Sequence, residues 1–299
     1  MPATNDSRLL VTGASGQLGR LTIHHLLHTL KVEPSRIVAG SRNPGQLKDL
    51  TDLGVLARHI DFTDIASVET AAKDVDRVLF ISLDHLILRV ENQKNAVKAF
   101  EAAGVKHILY TSFQNADASL CLLADPHRQT EQAIRESKIP GHTMLRNGQY
   151  FDNVPLYLAV ARHVGQWPSA AKDGKLAAIS RDDLARAAAY ALTSDNTGSN
   201  VYELTGSEAL TIDETVAQIS KAIEQPLVVT QVSVEYLATS MTAATGLLAA
   251  TAMVFASSDT NVAAGLAGNV TDHYKQLTGV NPQTHEEWIA ANKAMLMAL

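Results

Sequence analysis

The sequence predicts an α/β fold: a doubly wound parallel sheet with a smaller, interleaved and mostly helical C-terminal lobe. Three observations lead to this prediction. Short apolar, β-branched runs alternate with longer helical stretches through the first half of the chain, as strands and crossover helices do in such sheets. The runs are almost continuously apolar, which is expected when helices cover both faces of a sheet. A glycine-rich loop, residues 13–19, separates the first run from the first helical stretch.

The individual elements follow in chain order. Six runs are predicted as strands: Arg8–Thr12, Arg36–Gly40, Val55–His59, Arg77–Ser82, Lys106–Thr111 and His142–Arg146. Five helices, each with a breaker at its end, are predicted between them: Gln17–Lys31, Pro44–Leu53, Ile65–Lys73, Val90–Ala103 and Pro126–Ser137. Two further strand–helix units are predicted at Lys175–Leu192 and Asn200–Ile223. Thr211 and Thr284 each precede a Glu by three residues, which is the spacing of a capping box, so helices are predicted to begin there.

The composition excludes several classes of protein. With 299 residues, 46% hydrophobic and 19% charged, the chain can bury a large core. The net charge of −6 and the lack of a basic block argue against nucleic-acid binding. Cys121 is the single cysteine, and the start MPATNDSR lacks the basic and apolar regions of a secretory signal. A cytoplasmic protein without disulfides is therefore expected.

One uncharged segment, Tyr236–Ser258, is long enough to span a bilayer. It is rich in Ala, Thr and Ser and is interrupted by Gly246, so its insertion into a membrane would be only weakly favourable. We expect buried or pocket-lining helices here and no membrane contact.

The strongest functional signal is the loop Val11–Gly19. Its glycines Gly13, Gly16 and Gly19 lie between a predicted strand and a predicted helix. Such glycines let the backbone approach a pyrophosphate, and the helix that follows directs N–H groups and its positive dipole end at the phosphates. The loop therefore predicts a dinucleotide-binding Rossmann domain.

The predicted domains are interleaved along the chain. Residues 1–148 and 177–205 are assigned to the dinucleotide-binding Rossmann domain. Residues 149–176 and 206–299 are assigned to a substrate-binding cap over the carboxyl edge of the sheet, where open α/β sheets place ligands.

The residues after the second predicted strand indicate which dinucleotide binds. Folds that prefer NAD place Asp or Glu here to hold the ribose 2′-hydroxyl, whereas this strand ends in Gly40, Ser41, Arg42 and Asn43. A guanidinium can hold a 2′-phosphate with two charge-assisted hydrogen bonds, so NADPH is the predicted cofactor. The alternative is that Arg42 is simply exposed in a surface loop.

Topology alone places three more residues beside the cofactor. Asp61 and Phe62 follow the third strand, and Ser82 ends the fourth, where the adenine and the inner ribose would lie. Asp61 is equally compatible with a turn or with a position next to a helix cap.

A catalytic pair that typical short-chain dehydrogenases use is absent. They pair a Tyr with a Lys four residues later to move a proton to or from an alcohol oxygen, and none of the seven tyrosines has that Lys. A quinone or a cationic dye stores the incoming electrons in its own conjugated system and can take its proton from solvent. Positioning such an acceptor beside the nicotinamide then suffices for catalysis.

Several further segments belong to one pattern. They are the glycine loop, Ser41–Pro44, Ala102–Lys106, Tyr110–Ser112, the group Ala124, Asp125, His127, Thr130 and Glu131, and Leu145–Gly148 with Tyr150 and Asn153. Together they resemble the NmrA-like atypical short-chain dehydrogenase/reductase family. The resemblance is densest over residues 8–206 and implies NADPH-dependent reduction of quinones or triphenylmethane dyes.

The resemblance also implies roles for individual residues. The residues expected to bind the diphosphate and the 2′-phosphate are Gly13, Ala14, Ser15, Gly16, Gln17, Leu18 and Arg42. Those expected to border the nicotinamide are Ser82, Arg146, Asn147 and Gly148. Arg181, at the start of a later helix, is expected to reach the cofactor or the pocket, the alternative being an ion pair with Asp182 or Asp183.

The candidate catalytic residues are Asn147, Tyr150 and His127. For His127 the alternative is a helix-stabilising pair with Glu131, four residues later. The aromatic residues within 149–157 are expected to form walls for a flat acceptor, the alternative being ordinary core packing.

The chain departs from the family pattern at two places near the expected acceptor site. It has Asp84 and His85 after the fourth strand, where relatives continue with small Ser-type residues, and Gln93 where relatives often have His. Asp84 and His85 can form an acid–base pair, but adjacent residues of an extended segment point in opposite directions. His24 and His28 share a helix face without an evident third ligand, so no metal is expected.

The function predicted from the sequence is therefore hydride transfer from NADPH to a small quinone-like or other conjugated acceptor, by a monomer or homodimer. The alternative is a non-catalytic NADP(H)-sensing regulator that acts through a protein partner. A third possibility is an isomerase or a reductase of a specialised metabolite, for which Asp84 or His85 would matter.

Overall fold

The computed structural model of the protein describes residues 7–83 and 88–299. Its strands are β1 (Leu9–Val11), β2 (Ile37–Ser41), β3 (Leu56–His59), β4 (Arg77–Phe80), β5 (His107–Phe113), β6 (Gly141–Asn147), β7 (Trp167–Ser169), β8 (Lys175–Leu176), β9 (Asn200–Leu204), β10 (Leu210–Thr211) and β11 (Val229–Gln231). Its α-helices are α1 (Gln17–His24), α2 (Lys48–Thr51), α3 (Ile65–Ala71), α4 (Arg89–Ala102), α5 (Ala124–Glu136), α6 (Val154–Val164), α7 (Arg181–Thr193), α8 (Ile212–Ile223), α9 (Val234–Thr245), α10 (Ala249–Ala263), α11 (His273–Thr278) and α12 (His285–Ala298).

In the described part of the chain, seven strands form one sheet in the order β3-β2-β1-β4-β5-β6-β9. The pairs β1–β2, β1–β4, β2–β3 and β4–β5 are parallel. Every residue of β1, β2 and β4 is buried, as their continuous apolar runs predicted. The order turns back between β1 and β4, which is where doubly wound sheets bind ligands beyond the carboxyl ends of their strands. The predicted fold class is confirmed, and all six predicted strands are present.

Two predicted helices are wrong in detail. The helix predicted over Gln17–Lys31 is α-helical only to His24 and continues as a π-helical turn, His25–Thr29. The buried His25 in this turn pairs its Nδ1 with Thr29 Oγ1 and its Nε2 with Asp182, at 2.9 and 3.0 Å. The helix predicted over Pro44–Leu53 is a 3₁₀ turn, Pro44–Leu47, followed by the short α2.

The chain divides into two compact units. The first comprises Met1–Ser112, Pro126–Arg146 and Asp182–Tyr202, and the second comprises Phe113–Asp125, Asn147–Arg181 and Glu203–Leu299. These limits differ from those predicted for the two domains, chiefly because residues 113–125 and 177–181 belong to the second unit. The assignment of cofactor binding and substrate binding to the predicted domains stays a prediction.

The first unit has an aromatic core around Phe80. The Phe80 ring lies 5.2, 5.5 and 5.4 Å from the rings of Phe62, Phe100 and Tyr110, measured between centroids. Burial of large aromatic side chains contributes strongly to stability, because each removes a wide apolar surface from water.

The second unit contains two small sheets besides its helices. β7 and β11 pair in parallel, and β8 and β10 pair antiparallel. The capping boxes predicted at Thr211 and Thr284 are both present, so α8 and α12 begin where the sequence predicted.

The uncharged segment Tyr236–Ser258 forms α9 and part of α10, which are separated near Gly246 at φ +72°. Leu237, Met241 and Ala256 from these helices are fully buried in one apolar cluster. The expectation of buried helices is confirmed there. Among the described residues, no helix has both the length and the apolar character required to cross a membrane.

A buried arginine connects β4 with the end of α7. The Arg77 guanidinium donates hydrogen bonds to the carbonyl oxygens of Leu192, Asn196 and Ala191, at 2.9, 2.9 and 3.2 Å. Burial lowers the pKa of Arg77 to about 10, so it remains charged at neutral pH. Carbonyls at a helix C-terminus have no partner within the helix, and Arg77 supplies one from the sheet.

We expect Arg77→Met to lower the free energy of unfolding by about 3 kcal/mol, because it leaves buried carbonyls without a charged donor. Denaturant unfolding followed by circular dichroism measures this loss. The matched control is Arg162→Met, since Arg162 makes one exposed hydrogen bond of 3.3 Å to Gln225, and its expected change is within about 0.5 kcal/mol. Equal losses in the two variants would refute the capping role of Arg77.

Candidate functional site

The glycine loop has a geometry that side chains would obstruct. Gly13 has φ +60°, and a Cβ at Gly19 would overlap the carbonyl oxygen of Gly13 and lie 2.9 Å from Cα of Ala14. Gly16 is the N-cap residue of α1, so no capping side chain occupies the first N–H groups of the helix. Gly13, Gly16 and Gln17 are exposed. The first N–H groups of α1 are therefore available to a phosphate, whose charge the helix dipole favours.

The end of β2 lies against this loop. The buried Ser41 donates a hydrogen bond from its Oγ to Ser15 Oγ at 3.1 Å, and Ala14 N–H donates to the Gly40 carbonyl at 2.9 Å. Arg42, the next residue, is exposed. The loop and the predicted phosphate-selecting residue are thus held on one edge of the sheet.

Arg42 and Arg20 differ in how their guanidinium groups are engaged. Arg20 donates to Asp49 at 2.6 Å and to the Gln46 carbonyl at 2.7 Å. The Arg42 guanidinium has no hydrogen bond or ion pair with any residue that the structure describes. Of these two cations near the loop, Arg42 is the one whose donors are free for a ligand.

Asp61 forms a turn, as the alternative interpretation held. Its carboxylate accepts hydrogen bonds from the backbone N–H and the hydroxyl of Thr63, at 2.9 and 2.8 Å. These bonds, together with the nearby charge of Arg42, lower the pKa of Asp61. Phe62 is buried in the core of the first unit. A cofactor contact of Asp61 or Phe62 stays a prediction.

Two hydroxyl groups connect the carboxyl ends of β1, β4 and β5. Thr12 Oγ1 accepts from Ile81 N–H at 2.9 Å, and Thr111 Oγ1 accepts from Ser82 N–H at 2.8 Å. Ser82 is half-buried at this edge, and its predicted place beside the cofactor stays a prediction. Asp84 and His85 lie outside the described residues.

His127 belongs to a buried network of the first unit. Its Nε2 lies 2.9 Å from Nη2 of Arg89, and its Nδ1 lies 2.9 Å from the hydroxyl of Tyr110. Burial, and then the charge of Arg89, hold the pKa of His127 well below its ordinary value. The imidazole is therefore neutral, with both nitrogens engaged, so a catalytic proton transfer from it would require one of these bonds to break. The catalytic role of His127 stays a prediction.

Gln93 continues this network. It donates from Nε2 to Thr130 Oγ1 at 2.7 Å and accepts from Leu83 N–H at 3.0 Å through Oε1. An amide supplies both a donor and an acceptor here without carrying charge. Gln93 therefore connects α4, α5 and the end of β4.

Arg146 is held by Glu131, which the sequence analysis named only in the family pattern and as a possible partner of His127. Glu131, fully buried on α5, accepts from Nε and Nη2 of Arg146 at 2.9 and 2.7 Å. It also accepts from Arg135 at 2.7 Å and from Ser112 Oγ at 2.6 Å. Burial alone would raise the pKa of Glu131, but the bonds from Arg146 and Ser112 and the charges of both arginines lower it.

In the second unit, Asn147, Tyr150 and Arg181 lie together. The Asn147 amide is 3.5 Å from the Tyr150 hydroxyl, and the Arg181 guanidinium lies 5.3 Å from the centre of the Tyr150 ring, a cation–π arrangement. Arg181 forms an ion pair with Asp152 at 3.1 Å. The sequence had suggested an ion pair with Asp182 or Asp183 as the alternative role of Arg181, and Asp152 is a different carboxylate. Asn147 Oδ1 is buried without a hydrogen-bond partner among the described residues.

A partly open cavity of about 70 Å³ lies within the second unit, and its walls are largely aromatic. They include Tyr150, Phe151, Tyr157 and Trp167, and the last two rings are stacked at 6.1 Å and 11°. The expected aromatic walls are thus present, and Phe151 also packs in the core of the unit. Three polar residues complete the lining: Glu208, Asp259 and His285. They lie 50 residues or more from Tyr157 in the chain, so local sequence patterns did not reveal them.

The described residues contain no group of three or more His, Cys, Asp or Glu side chains placed to hold a metal. His24 and His28 do lie close together, with ring centroids 4.6 Å apart.

Comparison with known proteins shows what the chain is similar to. A sequence profile of the NmrA-like family matches residues 5–289. Quinone oxidoreductase 2 of Escherichia coli (strain K12) is 38% identical over 213 residues, which cover 71% of this chain and 73% of that protein.

Two solved structures are similar over almost the whole chain. The NADPH-dependent quinone oxidoreductase of Escherichia coli complexed with NADPH has a TM-score of 0.88 and 33% identity, covering 95% of this chain and 99% of that one. The Citrobacter sp. triphenylmethane reductase complexed with NADP(H) has a TM-score of 0.86 and 34% identity, again covering 95% and 99%.

The geometry at Glu131 leads to a prediction about acid stability. We expect Glu131→Gln to lower the free energy of unfolding at pH 7 by about 3–5 kcal/mol, since it leaves the buried Arg146 without its counter-charge. The folded-state pKa of Glu131 lies below its ordinary value of 4.5, so its contribution is complete above that pH and is lost as pH falls through the folded pKa. The stability gap between wild type and variant should therefore narrow in acid.

Thermal unfolding between pH 7 and pH 3 measures this gap. Glu136→Gln, at an exposed position of the same helix, is the control and should leave stability nearly unchanged at every pH. A gap for Glu131→Gln that stays constant as pH falls would contradict the assignment.

Proposed function

Because the chain belongs to the NmrA-like family, we propose that it is an NADPH-dependent oxidoreductase that reduces a quinone-like or other conjugated acceptor without a Tyr and Lys catalytic pair. The family predicted from the sequence is confirmed. So are the enzyme class, an NAD(P)H-dependent reductase, and the cofactor, NADPH, which the similar proteins carry in their names and structures. The nature of the acceptor is the proposal.

The observation that carries the proposal is the arrangement of the glycine loop and Arg42. The overlap that a Cβ would cause at Gly19, the exposed N–H groups of α1 and the unengaged guanidinium of Arg42 suit a dinucleotide with a 2′-phosphate. When bound, NADPH supplies the hydride for reduction. The loop of residues 13–18 would hold its diphosphate through the backbone N–H groups at the start of α1, and Arg42 would hold its 2′-phosphate.

The cavity of the second unit is the proposed acceptor site. Its aromatic walls can stack on a flat conjugated ring and exclude water from it. The Asn147 amide and the Tyr150 hydroxyl, 3.5 Å apart, are polar groups that can orient a carbonyl oxygen of the acceptor.

The tyrosines of the chain support an acceptor that needs no phenolic acid. None precedes a Lys by four residues, and burial raises the pKa of Tyr110 to about 12 and also raises that of Tyr157. A phenol whose pKa is raised is a weak proton donor at neutral pH. A reduced quinone or dye can take its proton from water instead.

The alternative regulator, which would bind NADP(H) without turnover, is favoured by one observation. Tyr236 and Leu248, at the uncharged segment, are 47% and 77% exposed, and exposed apolar side chains are suited to a protein partner. The two functions differ in whether bound NADPH is consumed. A location in the cytoplasm and a monomeric or dimeric state stay predictions.

The proposed reaction leads to a direct prediction. Purified protein should oxidise NADPH when a quinone or triphenylmethane dye is added, much more slowly with simple ketones, and with NADPH preferred over NADH. Absorbance of the reduced nicotinamide in a steady-state assay measures all three. Tight binding of NADPH with no oxidation across the panel would exclude the enzyme and support the regulator.

The role of Arg42 leads to a second prediction. Arg42→Ala should weaken NADPH binding by about 1.5–3 kcal/mol, the contribution of a charged hydrogen-bond partner, and should leave NADH binding nearly unchanged. Calorimetric titration measures both affinities. Lys48→Ala, which removes a nearby exposed cation already paired with Asp52 at 2.7 Å, is the matched control and should affect neither. An equal loss for both nucleotides in Arg42→Ala would rule out the phosphate contact.

A further inference from the structure

His285 has a hydrogen-bonding atom for which the described part of the chain offers no partner. The residue is 1% exposed and belongs to the lining of the cavity in the second unit. Its Nε2 is buried and has no hydrogen-bond partner among the residues that the structure describes. A buried polar atom left unpaired is costly, so this nitrogen is a candidate for contact with a ligand.

The other nitrogen of His285 determines which kind of group Nε2 can bind. Nδ1 lies 2.5 Å from Oε1 of Gln218, and a carbonyl oxygen only accepts hydrogen bonds. Nδ1 therefore carries the proton. Burial lowers the pKa of His285 to about 4, so the ring is neutral and Nε2 presents a lone pair.

Packing against neighbouring rings fixes the orientation of the His285 imidazole. Its ring lies parallel to that of Trp288, with centroids 6.4 Å apart at 7°, and 5.0 Å from the ring of Phe151. The backbone N–H of His285 donates to Glu208 at 2.9 Å, at the first position of α12. Nε2 is thus a fixed acceptor rather than one of several rotamers.

The shape of the cavity indicates the molecule that carries the matching donor. Its volume of about 70 Å³ is roughly half of the ~150 Å³ cavity that binds benzene, so it can receive one edge of a ring while the rest lies outside. The walls on either side are aromatic. A flat ring with a hydroxyl at its leading edge satisfies both the walls and the lone pair.

We propose that His285 accepts a hydrogen bond from a phenolic hydroxyl of the bound ring, which makes it a specificity-determining residue for hydroxylated aromatic ligands. This inference rests on the proposed acceptor site and deepens it. It names hydroxyl-bearing conjugated acceptors, and the hydroquinones formed from quinones, as the class that the cavity binds best. A ring bearing only carbonyl or methoxy oxygens presents no donor to Nε2 and leaves it unpaired.

The test compares 4-methylphenol with 4-methylanisole, which differ in the donor. Both are titrated calorimetrically into the full chain without NADPH. Wild type should bind the phenol in preference to the ether, and His285→Phe, which keeps an aromatic ring against Trp288, should reduce that preference roughly tenfold, as expected for a hydrogen bond to a buried acceptor. Glu286→Gln, at the exposed position next to His285, is the matched control and should keep the preference.

An unchanged preference in His285→Phe, or an equal loss in Glu286→Gln, would overturn the proposal. Nitrogen-15 NMR of the histidine side chains of wild type provides a test that needs no variant to fold. The unprotonated Nε2 signal should shift with 4-methylphenol and not with the ether, and no shift would contradict the inference. These measurements use no NADPH. If the protein shows the preference for the phenol but does not oxidise NADPH, only the proposed function is contradicted. If the protein oxidises NADPH but shows no preference for the phenol over the ether, only the proposed role of His285 is contradicted.

Discussion

The structure of the first unit depends on how closely α1 approaches the loop before it. Gly19 lies so near Gly13 that any side chain at Gly19 would overlap the Gly13 carbonyl. This close packing points the N-terminus of α1 at the carboxyl edge of the sheet, where its N–H groups are available to a ligand. The hydrogen bond between Ser41 and Ser15 holds the end of β2 against the same loop, and so determines where Arg42 emerges. One steric constraint thus places both the proposed diphosphate site and Arg42, the residue proposed to select the nucleotide.

Much of the fold could be predicted because its signals are local. Continuous apolar runs, the glycine loop and the Thr–Glu capping pairs each act within a few residues. The six predicted strands and the starts of α1, α8 and α12 lie where these signals placed them. The π-helical turn after His24 could not be predicted, because it involves a contact between His25 and Asp182, 157 residues away. β7 and β11 are three residues each and owe their pairing to the second unit, so their short sequences carry no periodicity to detect.

The candidate site also combines features that the local sequence determines with features that depend on tertiary contacts. The glycine loop and Arg42 were found from sequence because backbone conformation and charge at the end of a strand are properties of the local chain. The partners of the site residues were not. Glu131 holds Arg146 across two secondary-structure elements, Asp152 holds Arg181, and His285 reaches the cavity from the start of the last helix. Each is a polar group that burial forces into a specific pairing, and such pairings follow from tertiary structure.

Phosphorus-31 NMR of NADP⁺ bound to the protein tests the central claim, that Arg42 holds the 2′-phosphate, most directly. A free phosphate monoester gains its second proton near pH 6, whereas a guanidinium in contact with it stabilises the dianion. If Arg42 contacts the 2′-phosphate, the 2′-phosphate signal of the bound nucleotide should stay that of the dianion to a clearly lower pH than in free NADP⁺. A bound signal that titrates at the same pH as the free nucleotide would contradict it.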